Sequence, residues 1–134
     1  MQREDMLAKV EAAYEARRIG DHAALEKIVA PDAEFTFGGE QSFLASVPAS
    51  LTGTGNVHEV ARELFETIEI RELDRVQAVA EGNRVAILWN TTLVPRGGQP
   101  FETQMFDLWE FDDNGRICKG TQFVDTAKLV AEMA

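Results

Sequence analysis

The stretch FETQMFDLWEF, then Asp112-Asp113-Asn114-Gly115, then RICKGTQFVD constrains this 134-residue chain more than any other. Asn-Gly between two alternating apolar runs predicts a β-hairpin from Phe101 to Asp125, because both turn positions must tolerate positive φ. Side chains alternate along a strand, so Met105, Asp107, Trp109 and Phe111 share one face of the first arm. On the second arm Gly120, Gln122 and Val124 share a face in the same way. A carboxylate set among large apolar side chains is either a satisfied structural group or the polar centre of a pocket. Asp107 is therefore the first candidate for chemistry.

Upstream, Met6, Leu7, Val10, Ala13, Tyr14 and Arg17 recur at helical spacing and predict an amphipathic helix over Arg3 to Arg18. Tyr14 lies on its buried stripe, either as a core residue whose hydroxyl reaches water or a carbonyl, or as a phenol donating into a pocket. Gly20 stops this helix and Asp21 caps a second, which carries Leu25, Ile28 and Val29 inward until Ala30-Pro31 ends it. Ala33 to Phe37 then alternates as a short edge strand closed by Gly38-Gly39.

Residues 38–55 form a long aperiodic connection, the signature of a lid, a binding loop or a mobile segment. Its Ser42, Ser46 and Ser50 have no neighbouring His and no nucleophile elbow, and Gly53-Thr54-Gly55 lacks the third glycine of a dinucleotide loop. Asn56 with Glu59 reads as a capping pair for a helix carrying Val57, Val60, Ala61, Leu64, Phe65 and Ile68 inward, with His58 on its charged side. Strands over Arg71 to Ala80 and Arg84 to Val94 follow, joined at Gly82-Asn83, and Pro95-Arg96-Gly97-Gly98 leads into the hairpin. Both faces of the second strand begin apolar, so it is expected to be central and to place Trp89 near Asp107. The tail after Asp125 has helical propensity.

The order of elements predicts one α+β domain over residues 1–134, with helices on one face of an antiparallel meander and a concave apolar end. A net charge of −10 without a basic stripe argues against nucleic acid and anionic membrane as partners. The lone Cys118 has no second thiol to pair with, and no stretch approaches the ~20 apolar residues of a membrane span. Because the N-terminus also lacks the apolar run of a signal peptide, the cytoplasm is the expected compartment. His22 and His58 fall on different helices without an accompanying acid cluster, so no metal or other cofactor is expected.

Several short motifs in order resemble the nuclear transport factor 2-like superfamily, in its SnoaL-like and ketosteroid isomerase-like branch. They are Gly20-Asp21, Ala30-Pro31-Asp32-Ala33, Ala80-Glu81-Gly82-Asn83-Arg84-Val85, Phe106-Asp107-Leu108-Trp109-Glu110-Phe111, Asp113-Asn114-Gly115-Arg116-Ile117 and Asp125. The resemblance implies a cone-shaped, cystatin-like fold, a curved antiparallel sheet wrapped on three N-terminal helices, with a pocket at the open end and homodimers formed through the sheet.

It also implies site residues. Asp107 matches the strand position of the oxyanion-hole acid in ketosteroid isomerases and of the acid/base aspartate in SnoaL-like cyclases. The isomerase's general-base position falls at or near Phe37, which cannot accept a proton, and Tyr14 is offset by one residue from the oxyanion tyrosine, a rotation of about 100° on a helix. Steroid isomerisation is therefore disfavoured. Two readings stay open. One is a cofactor-independent cyclase, isomerase or dehydratase acting on a cyclic or polyketide-like carbonyl compound, with Asp107 as general acid/base assisted by Tyr14. The other is a non-catalytic ligand-binding or assembly domain. In both, Trp89, Met105, Trp109, Gly120, Gln122 and Phe37 are expected around a small apolar or aromatic ligand, with Gly120 leaving it room.

Overall fold

The computed structural model describes residues 1–37, 55–56 and 67–133. Helix α1 runs Arg3–Ile19 and ends where Gly20 adopts φ 74°, a left-handed cap that glycine reaches without strain. Helix α2, His22–Ile28, is capped by the Asp21 carboxylate accepting from the Ala24 amide at 3.0 Å. Strand β1 then starts at Val29, so this valine, expected on α2, is buried as a strand residue instead. The branched Val29 with Ala30-Pro31 favours extended backbone over a further helical turn.

The remaining strands are β2 (Gly55–Asn56), β3 (Ile68–Glu81), β4 (Arg84–Pro95), β5 (Phe101–Phe111) and β6 (Ile117–Val124), followed by helix α3 (Thr126–Met133). Ile68, expected as the last apolar residue of a helix, opens β3, and Asn56, expected as that helix's cap, pairs with Glu34 in β2. The rest of the expected helix, and the 38–54 connection with its serines, fall outside the described residues.

The strands form one curved sheet in the order β2-β1-β6-β5-β4-β3. From β3 to β6 the meander is antiparallel as expected, and β4 is internal. Strand β1 joins β6 in parallel, which makes the sheet mixed. Two register shifts in β3, between Ile70 and Glu72 and between Arg75 and Gln77, bend the strand that faces α1, as bulges do. The β5–β6 turn differs in detail from the sequence expectation. Only Gly115 has positive φ, and Asn114 does not, because the Asp112 carboxylate holds the turn by accepting from the amides of Asn114 and Arg116 at 2.9 and 3.0 Å.

Helix α1 lays Met6, Leu7, Val10 and Tyr14 on the inner face of the sheet, against Val85, Ile87 and Trp89 of β4. Burying Met6, Leu7 and Val10, each about 1% exposed, contributes roughly 1.5–3 kcal/mol apiece. The Lys9 ammonium donates to the Gly115 carbonyl, tying α1 to the β5–β6 turn. Among the described residues three polar side chains are buried, Thr91, Gln122 and Asp107, and of these Asp107 is the ionisable one, with no exposed surface.

Candidate functional site

The register of the sheet fixes what surrounds Asp107. Asp107 pairs with Ile87 on β4 and Gln122 on β6, and one pair along, Met105 faces Trp89 and Val124 while Trp109 faces Val85 and Gly120. All the odd-numbered residues of β5 from Phe101 to Phe111 point inward by the two-residue period, and α1 places Tyr14 over them. Asp107 is 0% exposed, and Gln122, Trp89, Tyr14 and Trp109 are all buried around it.

Four side chains donate to this carboxylate. On Oδ2 converge the Tyr14 hydroxyl, Trp89 Nε1 at 2.9 Å and Trp109 Nε1 at 3.1 Å. On Oδ1 the Gln122 amide donates at 3.0 Å, and the same amide nitrogen lies 3.0 Å from the Tyr14 oxygen. Tyr14 stands edge-on to both indoles, with ring centroids 5.4 Å from Trp89 and 6.2 Å from Trp109. The two tryptophans are thus walls and donors at once. The one-residue offset of Tyr14 does not carry it away, since its hydroxyl reaches Asp107.

Burial raises the Asp107 carboxyl above its ordinary value near 3.8, and the four donors pull it back only in part. The Tyr14 phenol is pushed well up, first by burial and then by Asp107, while the positive charge of Arg17 draws it down. Such a pair can relay a proton either way. When Asp107 is neutral its proton can pass to the Tyr14 oxygen as the phenol proton moves outward; when Asp107 is ionised it can take the phenol proton as Tyr14 takes one from a ligand.

Gly120 does not leave room for a ligand. A Cβ there would lie 2.6 Å from Cε3 and 2.9 Å from Cη2 of Trp109, so the indole fills the space, with Phe35 tilted against it at 6.0 Å. Met105 is buried in the wall between Trp89 and Val124, and the backbone of Phe37 pairs with Gln122 at the end of β1.

A cleft of about 320 Å³ opens between α1 and β3, floored by Tyr14, Ile70, Leu73 and Trp89 and rimmed by Glu11 and Arg75, whose side chains approach to 3.4 Å. It borders the cluster through Tyr14 and Trp89. A second hollow, about 410 Å³, lies among Glu72, Asp74, Asn90, Glu102 and Gln104 and touches no member of the cluster.

Arg17 lies next to Tyr14 on α1, although its sequence position drew no functional reading. It is half-buried one helical turn beyond Tyr14, and burial lowers its pKa while the charges of Tyr14 and Asp107 raise it. A cation within an apolar helical stripe was the legible signal. No group of three or more His, Cys, Asp or Glu able to hold a metal occurs among the described residues, and no helix among them is long and apolar enough to cross a membrane.

The model of the SnoaL-like domain matches residues 10–120. No curated protein matches the sequence. Among solved structures, an NTF2-like protein of unknown function from Burkholderia pseudomallei is 22% identical, with 100% of this chain and 99% of that one covered and a TM-score of 0.79. A candidate isomerase from Rhodopseudomonas palustris is 18% identical over 98% of this chain and 97% of its own, at a TM-score of 0.78. IdmH, a candidate polyketide cyclase from Streptomyces antibioticus, is 20% identical over 96% and 97%, at 0.69. At these identities the likeness is one of fold.

Proposed function

Since the chain belongs to the SnoaL-like domain family, we propose that it moves a proton on a cyclic or polyketide-like carbonyl compound, in a cyclisation, isomerisation or dehydration, with Asp107 as acid/base and Tyr14 as the group that meets the ligand. The observation that carries this reading is the Tyr14 hydroxyl seated on a fully enclosed Asp107 whose pKa burial has raised. A carboxyl in the middle of an apolar core costs stability that a hydrocarbon at the same position would not, so its presence calls for a use. The candidate cyclase and candidate isomerase among the structural neighbours agree with the reaction class. Asp107 lines neither of the clefts formed among the described residues, whereas Tyr14 lines one of them and reaches Asp107, so Tyr14 is the route assigned to the proton.

The test needs no natural substrate. Proton abstraction beside a carbonyl can be followed as deuterium exchange into 2-tetralone by NMR. Wild-type protein is expected to accelerate exchange over buffer, and Asp107→Asn to remove most of the acceleration. Asparagine can keep three donors on its oxygen, and Gln122 can turn its amide to accept from the new nitrogen, so the fold survives at a cost of about 1–2 kcal/mol. Equal exchange rates for wild-type and Asp107→Asn would refute the assignment.

A second reading has one observation of its own. All four donors around Asp107 are satisfied and none of its surface is exposed, as a purely structural carboxylate would be. In that case the domain binds a small apolar or aromatic ligand without turning it over, and saturable binding would come with no exchange. Under either reading we propose that two copies pair through the outer face of the sheet, where register sets Leu88, Phe106 and Phe123 side by side and Leu108 beside Ala86. Phe106 and Phe123 are 46% and 52% exposed there, which is unusual for neighbouring phenylalanines on a lone domain.

A further inference from the structure

Arg17 is a half-buried guanidinium that forms no hydrogen bond and no ion pair with any of the described residues. The neighbouring arginines behave differently. Arg18 is held by Glu15 at 2.5 and 2.9 Å, and Arg75 by Glu11 at 3.4 Å. A buried or half-buried arginine is ordinarily paired, because removing the charge from water without a partner is costly.

Its position on α1 says which flank it serves. At 100° per residue, Glu11, Glu15 and Arg18 fall to one side of Tyr14 and border the cleft toward β3, whereas Val10, Ala13 and Arg17 fall to the other. Tyr14 therefore stands between the paired charges and a cation that no described residue pairs. Arg17 feels the charge of Asp107, but the carboxylate takes its hydrogen bonds from Tyr14, Trp89, Trp109 and Gln122 and none from Arg17. Three residues apart on α1, Tyr14 and Arg17 are neighbours on the helix surface.

We infer that Arg17 is the anion-recognition residue of this site, and that the ligand is an acid: a carboxylate or an acidic enol whose negative oxygen rests on the guanidinium beside the Tyr14 hydroxyl. This rests on the reading of Tyr14 and Asp107 as the ligand site and adds to it the charge of the ligand. A planar guanidinium presents paired N–H donors that match a carboxylate, and it holds a negative oxygen where a phenol alone supplies one hydrogen bond. The same cation steadies negative charge that develops on an enolised carbonyl.

The experiment compares two probes of one shape, 2-naphthoate and the neutral 2-naphthalenemethanol, by titration of the tryptophan fluorescence of the full chain. Wild-type is expected to bind the carboxylate about tenfold more tightly than the alcohol. Arg17→Gln is expected to erase that preference by weakening the carboxylate alone, and Arg17→Lys to restore part of it, with thermal melts showing that both variants are folded. Preference retained in Arg17→Gln, or no preference in wild-type, including no saturable binding of either probe at millimolar concentration, overturns the inference. Exchange into 2-tetralone, which is neutral, tests Asp107 and Tyr14 separately, so failure of the charge assignment is distinguishable from failure of the proton-transfer reading.

Discussion

Asp107 and its neighbours Phe106 and Leu108 reverse the usual polarity of a strand: the acid is enclosed, while the two apolar side chains are 46% and 36% exposed on the opposite face. The inner face of β5 is specified by hydrogen bonds from three other elements, each with a defined direction. The outer face is specified within one chain only by alternation. Substitutions should therefore be felt as lost stability and chemistry on the inside and as altered association on the outside.

The largest effect is expected from Asp107→Ala, which leaves four buried donors without their acceptor and should cost about 3 kcal/mol or more in urea unfolding. A cost under about 1 kcal/mol would mean that the inner face is not held by this carboxylate. Next, Gly120→Ala should cost about 1–3 kcal/mol, because its Cβ displaces Trp109 and with it one donor to Asp107. If this variant instead bound ligand less well at unchanged stability, the space above Gly120 would belong to the ligand after all.

A third, smaller effect follows from pH. The folded-state pKa of Asp107 lies above its unfolded value near 3.8, so its protonated form is the one folding favours. That contribution is complete below about 3.8 and is lost as pH rises through the folded value, with a slope of at most about 1.4 kcal/mol per pH unit. Wild-type should lose stability relative to Asp107→Asn over that window; a difference that stays flat, or grows in the other direction, contradicts a raised pKa. Smallest in stability is Phe106→Glu on the outer face, expected within about 0.5 kcal/mol of wild-type while halving the mass seen by light scattering. An unchanged oligomeric mass would remove the outer face as the pairing surface.

The same contrast explains what could be read in advance. Alternation is local, so the inward set of Met105, Asp107, Trp109 and Phe111, and Gly120 with Gln122, follow from the sequence alone and recur in the structure. The turn near Asn114 and the start of β1 at Val29 depend on side-chain capping and on competition between helix and strand over a few residues, which shifted both. The parallel pairing of β1 with β6 involves partners far apart in the chain, and no short motif announces it. Trp109 filling the space at Gly120, and Arg17 without a partner among the described residues, depend on how one element lands on another. A helical stripe shows which residues turn inward, not what they meet.

That parallel pairing also governs when the site comes into being. Residues 29–37 must wait for β6 before their edge is satisfied, and Tyr14 meets Gln122 across 108 residues of chain. A ribosome delivering this protein exposes α1, with its apolar stripe, long before the strands that cover it exist. Long sequence separations of this kind slow folding, because closure of the chain precedes the contacts that reward it. The cluster around Asp107 is therefore among the last parts to be assembled, and a chain truncated before β6 would retain the aspartate while lacking the Gln122 amide that donates to it.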